Sequence, residues 1–486
     1  MPIGDLRELI TILENQGKLL RITREVDPAH EVACVLMKAQ RDCPGMAVYF
    51  EKIKGYPMPG VGNLYGSVEN VITALGRPPA VTMKDLVGEI ADSLASEKCI
   101  QPRVVTEAPC QEVVIEGDGV KLLEEVPGML GCELETDPAI YSGVVMAREP
   151  DSGNYCLGAH YVKITGPRKL ASFIAPIRRV RQYFDKAERL GRPLEVAVVI
   201  GVDPVLHMLS GASITYGRDK LEVACTVRGE PVEVVKCKTV DLNVPAHAEM
   251  VIEGRMLPEL RETFGPFSDF WGFYVKNPPP QPVIEVTAIT RRRAPVFPFI
   301  YVAYPSPPAE NSYIPHVAGS AAILSNLRRL LPGVRALNAT LSSCCQHMIV
   351  SISKTYPGQP LQVMDAIWAI RPNVHTIVVV DDDVDPFNLS QVEWVMATHV
   401  SPCRDVFIIP EVAQSIEADT TGRKASRGTV ISRMGIDATR DEGWDHELAA
   451  PHREKMKQVE VEWPQYFGGK APDRLWSVLE KEGATA

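Results

Sequence analysis

VVKCKTVDLNVPAHAEMVIEGRMLPELRETFGPFSDFWGFY, residues 234–274, decides the reading of this chain. An apolar, strand-like run passes through a Pro turn into a second run, Glu249 to Gly254, and ends in an aromatic, glycine-punctuated loop that carries Asp269. Phe267, Phe270, Trp271, Phe273 and Tyr274 flank that carboxylate. Apolar surroundings disfavour its charged form, raise its pKa and let it donate a proton near neutral pH. The plainer alternative is that Asp269 caps a turn beside a buried aromatic cluster.

Working outward, short β-branched runs separated by Gly, Pro and Asp fill residues 104–289: EVVIEGDGVKLL, YSGVVMARE, YVKITG, LEVAVVIGVDP, LEVACTVRGEPVEVVKC and PVIEVTAIT. One helix is expected between Arg168 and Leu190. Regularly spaced strands with few helices point to a closed or split barrel. Before it, Asp5 and Gly17 bound a helix with Leu6, Leu9, Ile10 and Leu13 on one face, and Ser67 caps another. Beyond the Pro-rich stretches NPPPQP and YPSPPAEN, the helical pattern of 318–331, a strand at 347–352, a helix at 363–370 and the apolar run HTIVVV (375–380) restore α/β alternation. The expected organisation is an α/β unit over 1–105, a split β-barrel over 106–300 and a C-terminal α/β domain over 301–486.

With 51 basic against 61 acidic residues the net charge is -10, and nothing basic is concentrated enough to follow a phosphate backbone. The triplet Arg291-Arg292-Arg293 reads as a solvated edge or an inter-subunit ion pair. No stretch approaches the roughly 18 apolar residues of a membrane span, and the start lacks a signal-peptide pattern. The 11 cysteines are scattered without CxxC spacing. They read as reduced packing residues of a cytoplasmic protein.

Three further candidates have two readings each. Asp381, Asp382, Asp383 and Asp385 at the end of a strand could hold Mg²⁺ or could cap the next helix, and the missing phosphate loop favours the structural reading. His160 in NYCLGAHYV reads locally as a satisfied core histidine. Lys220 in GRDKLEV reads locally as a solvated lysine at the start of a strand.

Five segments in order, DLRELITILENQGKLLRITREVDPAHEVA, GNLYGSVENVITALGRPP, VVKCKTVDLNVPAHAEMVIEG, VVVDDDVDPFNLSQVEWVMATHVSP and ISRMGIDAT, are similar to hallmark segments of the UbiD-type (de)carboxylases. The resemblance covers essentially the whole chain. It implies a homo-oligomer, dimer or hexamer, with an FMN-binding split barrel. It also implies reversible (de)carboxylation of an aromatic, heteroaromatic or α,β-unsaturated acid. The cofactor implied is prenylated FMN from a flavin prenyltransferase, with a divalent metal (Mn²⁺ or Mg²⁺) and K⁺. The modified flavin accepts the electrons left when CO₂ departs, while the protein orients the substrate and delivers a proton.

In the family an Asn, a His and a Glu hold the metal, and an Arg and two acids surround the reactive ring. Asn154 stands at the Asn position, but the family Arg falls on Ala159, beside His160. The metal Glu falls on Lys220 and the metal His near Pro176. In FGPFSD the second acid is Asp269, the first is Phe264, and Glu262 lies two residues off register.

Two accounts follow. In one, the Lys220 ammonium supplies the charge of the ion and pairs with a phosphate, with Asn154 and Ser210 beside it on the cofactor side. No divalent metal is then expected. Asp269 serves as acid/base, Glu262 stands near it and His160 takes the place of the arginine. In the other, the chain is a catalytically silent subunit of a hetero-oligomer with an active paralogue, as in carboxylases of the phenylphosphate type.

Overall fold

The strands Tyr155–Ala159 and Tyr161–Gly166 are consecutive, with only His160 between them, yet they lie far apart along the central sheet. Tyr155–Ala159 ends the sheet on one side, paired with Val144–Arg148. Tyr161–Gly166 pairs with Lys169–Phe173 near the other end, after the path through Leu194–Ile200, Met250–Glu262 and Gln281–Arg291. One residue cannot cross a flat sheet, since strands are spaced about 4.8 Å apart. The sheet must therefore curl until its ends meet, which makes a split barrel with His160 at the seam. This computed structural model describes residues 2–302, 308–414, 420–425, 428–449 and 451–467. Part of the stretch YPSPPAEN, residues 303–307, lies outside them.

The barrel is antiparallel throughout. Its longest strands, Met250–Glu262 and Gln281–Arg291, grow from the β-branched and apolar runs noted in the sequence and bury most of their side chains. Ahead of the barrel, Asp5 caps the helix Leu6–Asn15 by accepting the Glu8 amide at 2.9 Å, and Leu6, Leu9, Ile10 and Leu13 are its buried face. Gly17, at φ 69°, turns the chain out of it. Arg7 fixes this helix to the barrel through two 2.7 Å hydrogen bonds to buried Glu249. Two members of the arginine triplet pair within the chain instead of across a subunit boundary: Arg291 binds Glu125, and Arg292 binds Asp5 and Glu249.

The C-terminal sheet runs in the order Val334–Ala339, His347–Ile352, Thr376–Asp381, Gly428–Asp437, Val406–Gln414, with its three middle strands parallel. The helices Ser320–Leu330 and Gln359–Ile370 pack in the same α/β part of the chain. At the exit of Thr376–Asp381, Arg440 pairs with Asp381 and Asp383, and Asp382 accepts from Ser353. The cap of the following helix, Leu389–His399, is Asn388 rather than Asp385, whose carboxylate instead takes the Phe387 amide at 3.1 Å.

One strand expectation fails. LEVACTVR belongs to a helix, Lys220–Arg228. Asp219 caps it by accepting the Leu221 and Glu222 amides, and Gly229, at φ 85°, closes it. Leu221, Ala224 and Cys225 are buried at i, i+3 and i+4 spacing. The β-branched Val223, Thr226 and Val227 favour strands, but the caps and the apolar spacing outweigh that small preference. Lys220 is therefore the first helical residue, and it is buried rather than solvated.

Candidate active site

Asp269 follows the strand Phe267–Ser268, where the chain turns back toward Tyr274–Val275. The turn begins at Gly265, whose φ of 107° and close approach to Pro278 leave no room for a Cβ. The Asp269 Oδ1 accepts the Trp271 amide at 3.2 Å, so the capping reading holds locally. The same side chain lines a cavity of about 210 Å³ between the barrel and the C-terminal domain, among Tyr161, Phe173 and Phe270. Burial pushes its pKa up to about 7, although the Trp271 and Phe270 amides and the Arg178 guanidinium pull the other way. One side chain thus both caps a turn and has a raised pKa.

The loop is held from beneath by Glu135. Its Oε1 accepts from the Ser268 amide at 2.9 Å, the Ser268 hydroxyl at 2.8 Å and the Tyr141 hydroxyl at 2.5 Å. Its Oε2 accepts the Gly131 and Cys132 amides. Five donors on one buried carboxylate lock the residue before Asp269 in place. Phe264, at the position of the first acid, is only 1% exposed and packs on Phe267 with ring centroids 5.2 Å apart. Burying a phenyl group contributes about 2 kcal/mol, so this position has become core.

Glu262 does not reach the cavity. It lies near the end of Met250–Glu262, bound to Lys169 and to the Thr165 hydroxyl. Asn154 also misses both cavities described here: its amide donates to the Gly217 carbonyl at 2.7 Å. His160 does line the cavity, folded back over Gly158, where an added Cβ would meet its Nε2 at 2.3 Å. Burial and the cations Arg178 and Lys220 hold its pKa down at about 3. A neutral imidazole does not carry an arginine's charge, so the positive charge of this wall comes from other residues.

Arg178, a residue that local sequence did not single out, brings a guanidinium to the same wall. It precedes the helix Arg179–Arg189 as N-cap. Two arginines at a helix N-terminus oppose the macrodipole, and that unfavourable placement was the available signal of an anion site. Arg178 lines both the Asp269 cavity and a neighbouring one of about 220 Å³; the two share Ala159, His160, Ile177 and Ser213 as well. The second cavity reaches Lys220 and Ser210. The Ser210 hydroxyl turns away to the His207 carbonyl at 2.6 Å. The Lys220 ammonium donates to the carbonyls of Leu157 at 2.7 Å, Ala212 at 2.8 Å and Ser210 at 3.2 Å. Its three donors are spent on the backbone, so it sits behind the wall and does not grip an anion directly. Burial and the charge of Arg179 lower its pKa to about 7.

From the C-terminal domain come Asn311, Gly319, Arg371 and Asn373. Arg371, the C-cap of Gln359–Ile370, extends along Gly319, where an added Cβ would lie 3.1 Å from Nη1. The buried Oδ1 of Asn311 has no hydrogen-bond partner among the described residues.

Family models for the 3-octaprenyl-4-hydroxybenzoate carboxy-lyase match the chain three times: the N-terminal domain over residues 10–90, the Rift-related domain over 103–305 and the C-terminal domain over 312–438. The chain belongs to the UbiD family. It is a carboxy-lyase with the three-domain UbiD architecture around a curled half-barrel. The solved structure of the UbiD-class enzyme HmfF from Pelotomaculum thermopropionicum in complex with FMN is 34% identical, with a TM-score of 0.81, covering 94% of this chain and 99% of that one. Vanillic acid decarboxylase from Sedimentibacter hydroxybenzoicus in closed form is 28% identical, with a TM-score of 0.86 and coverage of 95% and 98%. A phenolic acid decarboxylase of Streptomyces sp. strain D7 is 32% identical over 452 residues, 90% of this chain and 92% of that protein.

The residues of this UbiD-family enzyme fit a phosphorylated flavin. Two adjoining cavities offer an aromatic wall at Tyr161 and Phe173 and, at the far side, Lys220 behind the wall with the N-terminus of Arg179–Arg189. They do not fit a divalent ion. An ammonium already fills the carbonyl cage, and among the described residues no three His, Cys, Asp or Glu side chains converge on a metal site.

Proposed function

We propose that this enzyme removes or adds CO₂ at an unsaturated carbon of an aromatic, heteroaromatic or α,β-unsaturated acid, using prenylated FMN held without a divalent metal. The observation that carries the reading is a buried carboxyl poised near neutrality, facing a cavity walled by a guanidinium and aromatic rings. When bound, the prenylated flavin supplies a sink for the electrons left by the departing CO₂. Arg178 orients the substrate carboxylate at the junction of the two cavities. Protonated Asp269 then delivers its proton to the carbon that lost CO₂; in the carboxylation direction, ionised Asp269 takes that proton away. Glu135 keeps Asp269 within reach by fixing Ser268. Phe264, Phe267, Phe173 and Tyr161 exclude water from the acid, which sustains its raised pKa. On the phosphate side, Lys220 balances charge from behind the cavity wall, while the free amides at the start of Arg179–Arg189 face the anion.

The test is co-expression with a flavin prenyltransferase, followed by visible absorption, mass spectrometry and elemental analysis. The expected protein carries one prenylated flavin and less than one tenth of an equivalent of Mn²⁺ or Mg²⁺, and it releases CO₂ from an aromatic acid. A colourless protein without the flavin would overturn the reading in favour of a silent subunit. One divalent ion per chain would refute the metal-free site.

A further inference from the structure

The Asp269 cavity gathers positive charge from two parts of the chain. Arg178 and Arg371 both line it, and neither guanidinium has a hydrogen bond or ion pair among the described residues. Desolvation and the charge of Arg371 lower the pKa of Arg178, so the two cations repel across the space, although Arg178 keeps an exposed surface and Arg371 a partly exposed one. Opposing them is Asp269, which is uncharged in its proton-donating form, and His160 is neutral as well. Tyr141 and Tyr161 are held well above their ordinary pKa and bring no anion.

The two arginines also come from different bodies. Arg178 leads a helix packed on the barrel, whereas Arg371 ends a helix of the C-terminal domain. Gly319 leaves space for the Arg371 side chain, and Asn311 lies in the same wall. Asn373 is steadied there by Gln346 at 3.5 Å. Two like charges that face one cavity without partners repel each other, and an anionic ligand between them relieves that repulsion.

We infer that the substrate carries two anionic groups: the carboxylate that leaves, held by Arg178, and a second carboxylate or phosphate, held by Arg371. The inference rests on the decarboxylase reading for the first group only. Arg371 is thereby a specificity-determining residue contributed by the C-terminal domain.

Equilibrium binding to the flavin-loaded protein tests it, with terephthalate, isophthalate and trans,trans-muconate each compared with its monomethyl ester. The ester keeps the shape and removes one charge. At least one dianion is expected to bind about tenfold more tightly than its ester, and Arg371→Gln is expected to bring that dianion to the level of the ester while leaving the ester within about twofold. Flavin content, read from absorbance, stays unchanged in Arg371→Gln. Three outcomes overturn the inference: no dianion binds more tightly than its ester, Arg371→Gln weakens both members of a pair equally, or Arg371→Gln loses the flavin. CO₂ release is measured separately. The charge contrast without any CO₂ release would sink the decarboxylase reading and leave this inference standing, whereas release from monoanionic acids alone would do the reverse.

Discussion

Lys220 and Arg371 are both cations of one active-site region, the first buried and the second partly exposed, and their surroundings are opposite. Lys220 spends all three ammonium donors on backbone carbonyls, two of them at the end of the helix Pro204–Ser210 and just beyond it. Arg371 has no partner among the described residues and borders open space. Equal charge therefore serves two purposes. A satisfied cation holds protein to protein and lends its field, while an unsatisfied one waits for a ligand. Asp269 stands between these extremes, with one oxygen capping a turn and the carboxyl facing the void.

If that middle position makes Asp269 the proton donor, its loss has the largest effect. Asp269→Asn keeps the cap but cannot supply a proton, and turnover is expected to fall at least about 100-fold with assembly intact. Steady-state CO₂ release beside gel filtration checks this, and unchanged turnover would remove Asp269 from the chemistry. The wild-type rate should also decline as pH rises through about 7, because the donating form is the protonated one. The stability effect has the same sign. A carboxyl whose folded pKa lies above its unfolded value contributes stability that is fully present below the unfolded pKa and is lost as pH rises through about 7. In Asp269→Asn this part of the alkaline loss should vanish from thermal melts.

Breaking the satisfied cation should act on stability before activity. Lys220→Met leaves the Leu157, Ser210 and Ala212 carbonyls unpaired, at about 1 kcal/mol or more each. A loss of about 3 kcal/mol in denaturant unfolding is expected, together with weaker flavin retention. If Lys220→Met unfolded at the wild-type midpoint, the carbonyl cage would not be holding the two segments together.

Much of this was legible along the chain, and the boundary of legibility has a physical cause. The caps at Asp5, Gly17 and Ser67 and the aromatic surroundings of Asp269 are local in sequence, so reading neighbours sufficed. The resemblance likewise gave the three-part architecture. Lys220 was misread because its partners lie 8, 10 and 63 residues away, and only folding brings their carbonyls together. Arg178 hid among the basic residues of an amphipathic helix, and Arg371 at an ordinary helix end. Their importance lies in lacking partners, which no linear pattern displays. Glu262 was assigned to the site because it stands near the acid loop in sequence, yet its strand pairs Glu262 with Gln281 and gives its side chain to Lys169.

Glu262 therefore gives the smallest expected effect and the sharpest control on Asp269. Both are acids of the same segment, seven residues apart, but Glu262 is a partly exposed member of an ion pair on the strand. Such pairs contribute about 0–1 kcal/mol, partly offset by the entropy of holding two long side chains. Glu262→Gln should keep the Thr165 hydrogen bond, lower stability by less than about 1 kcal/mol and change turnover by less than about twofold. A large drop in turnover at unchanged stability would mean that Glu262 enters the reaction after all. The acid would then reach the cavity through a rearranged loop, and Asp269 would no longer be the sole proton carrier of the segment.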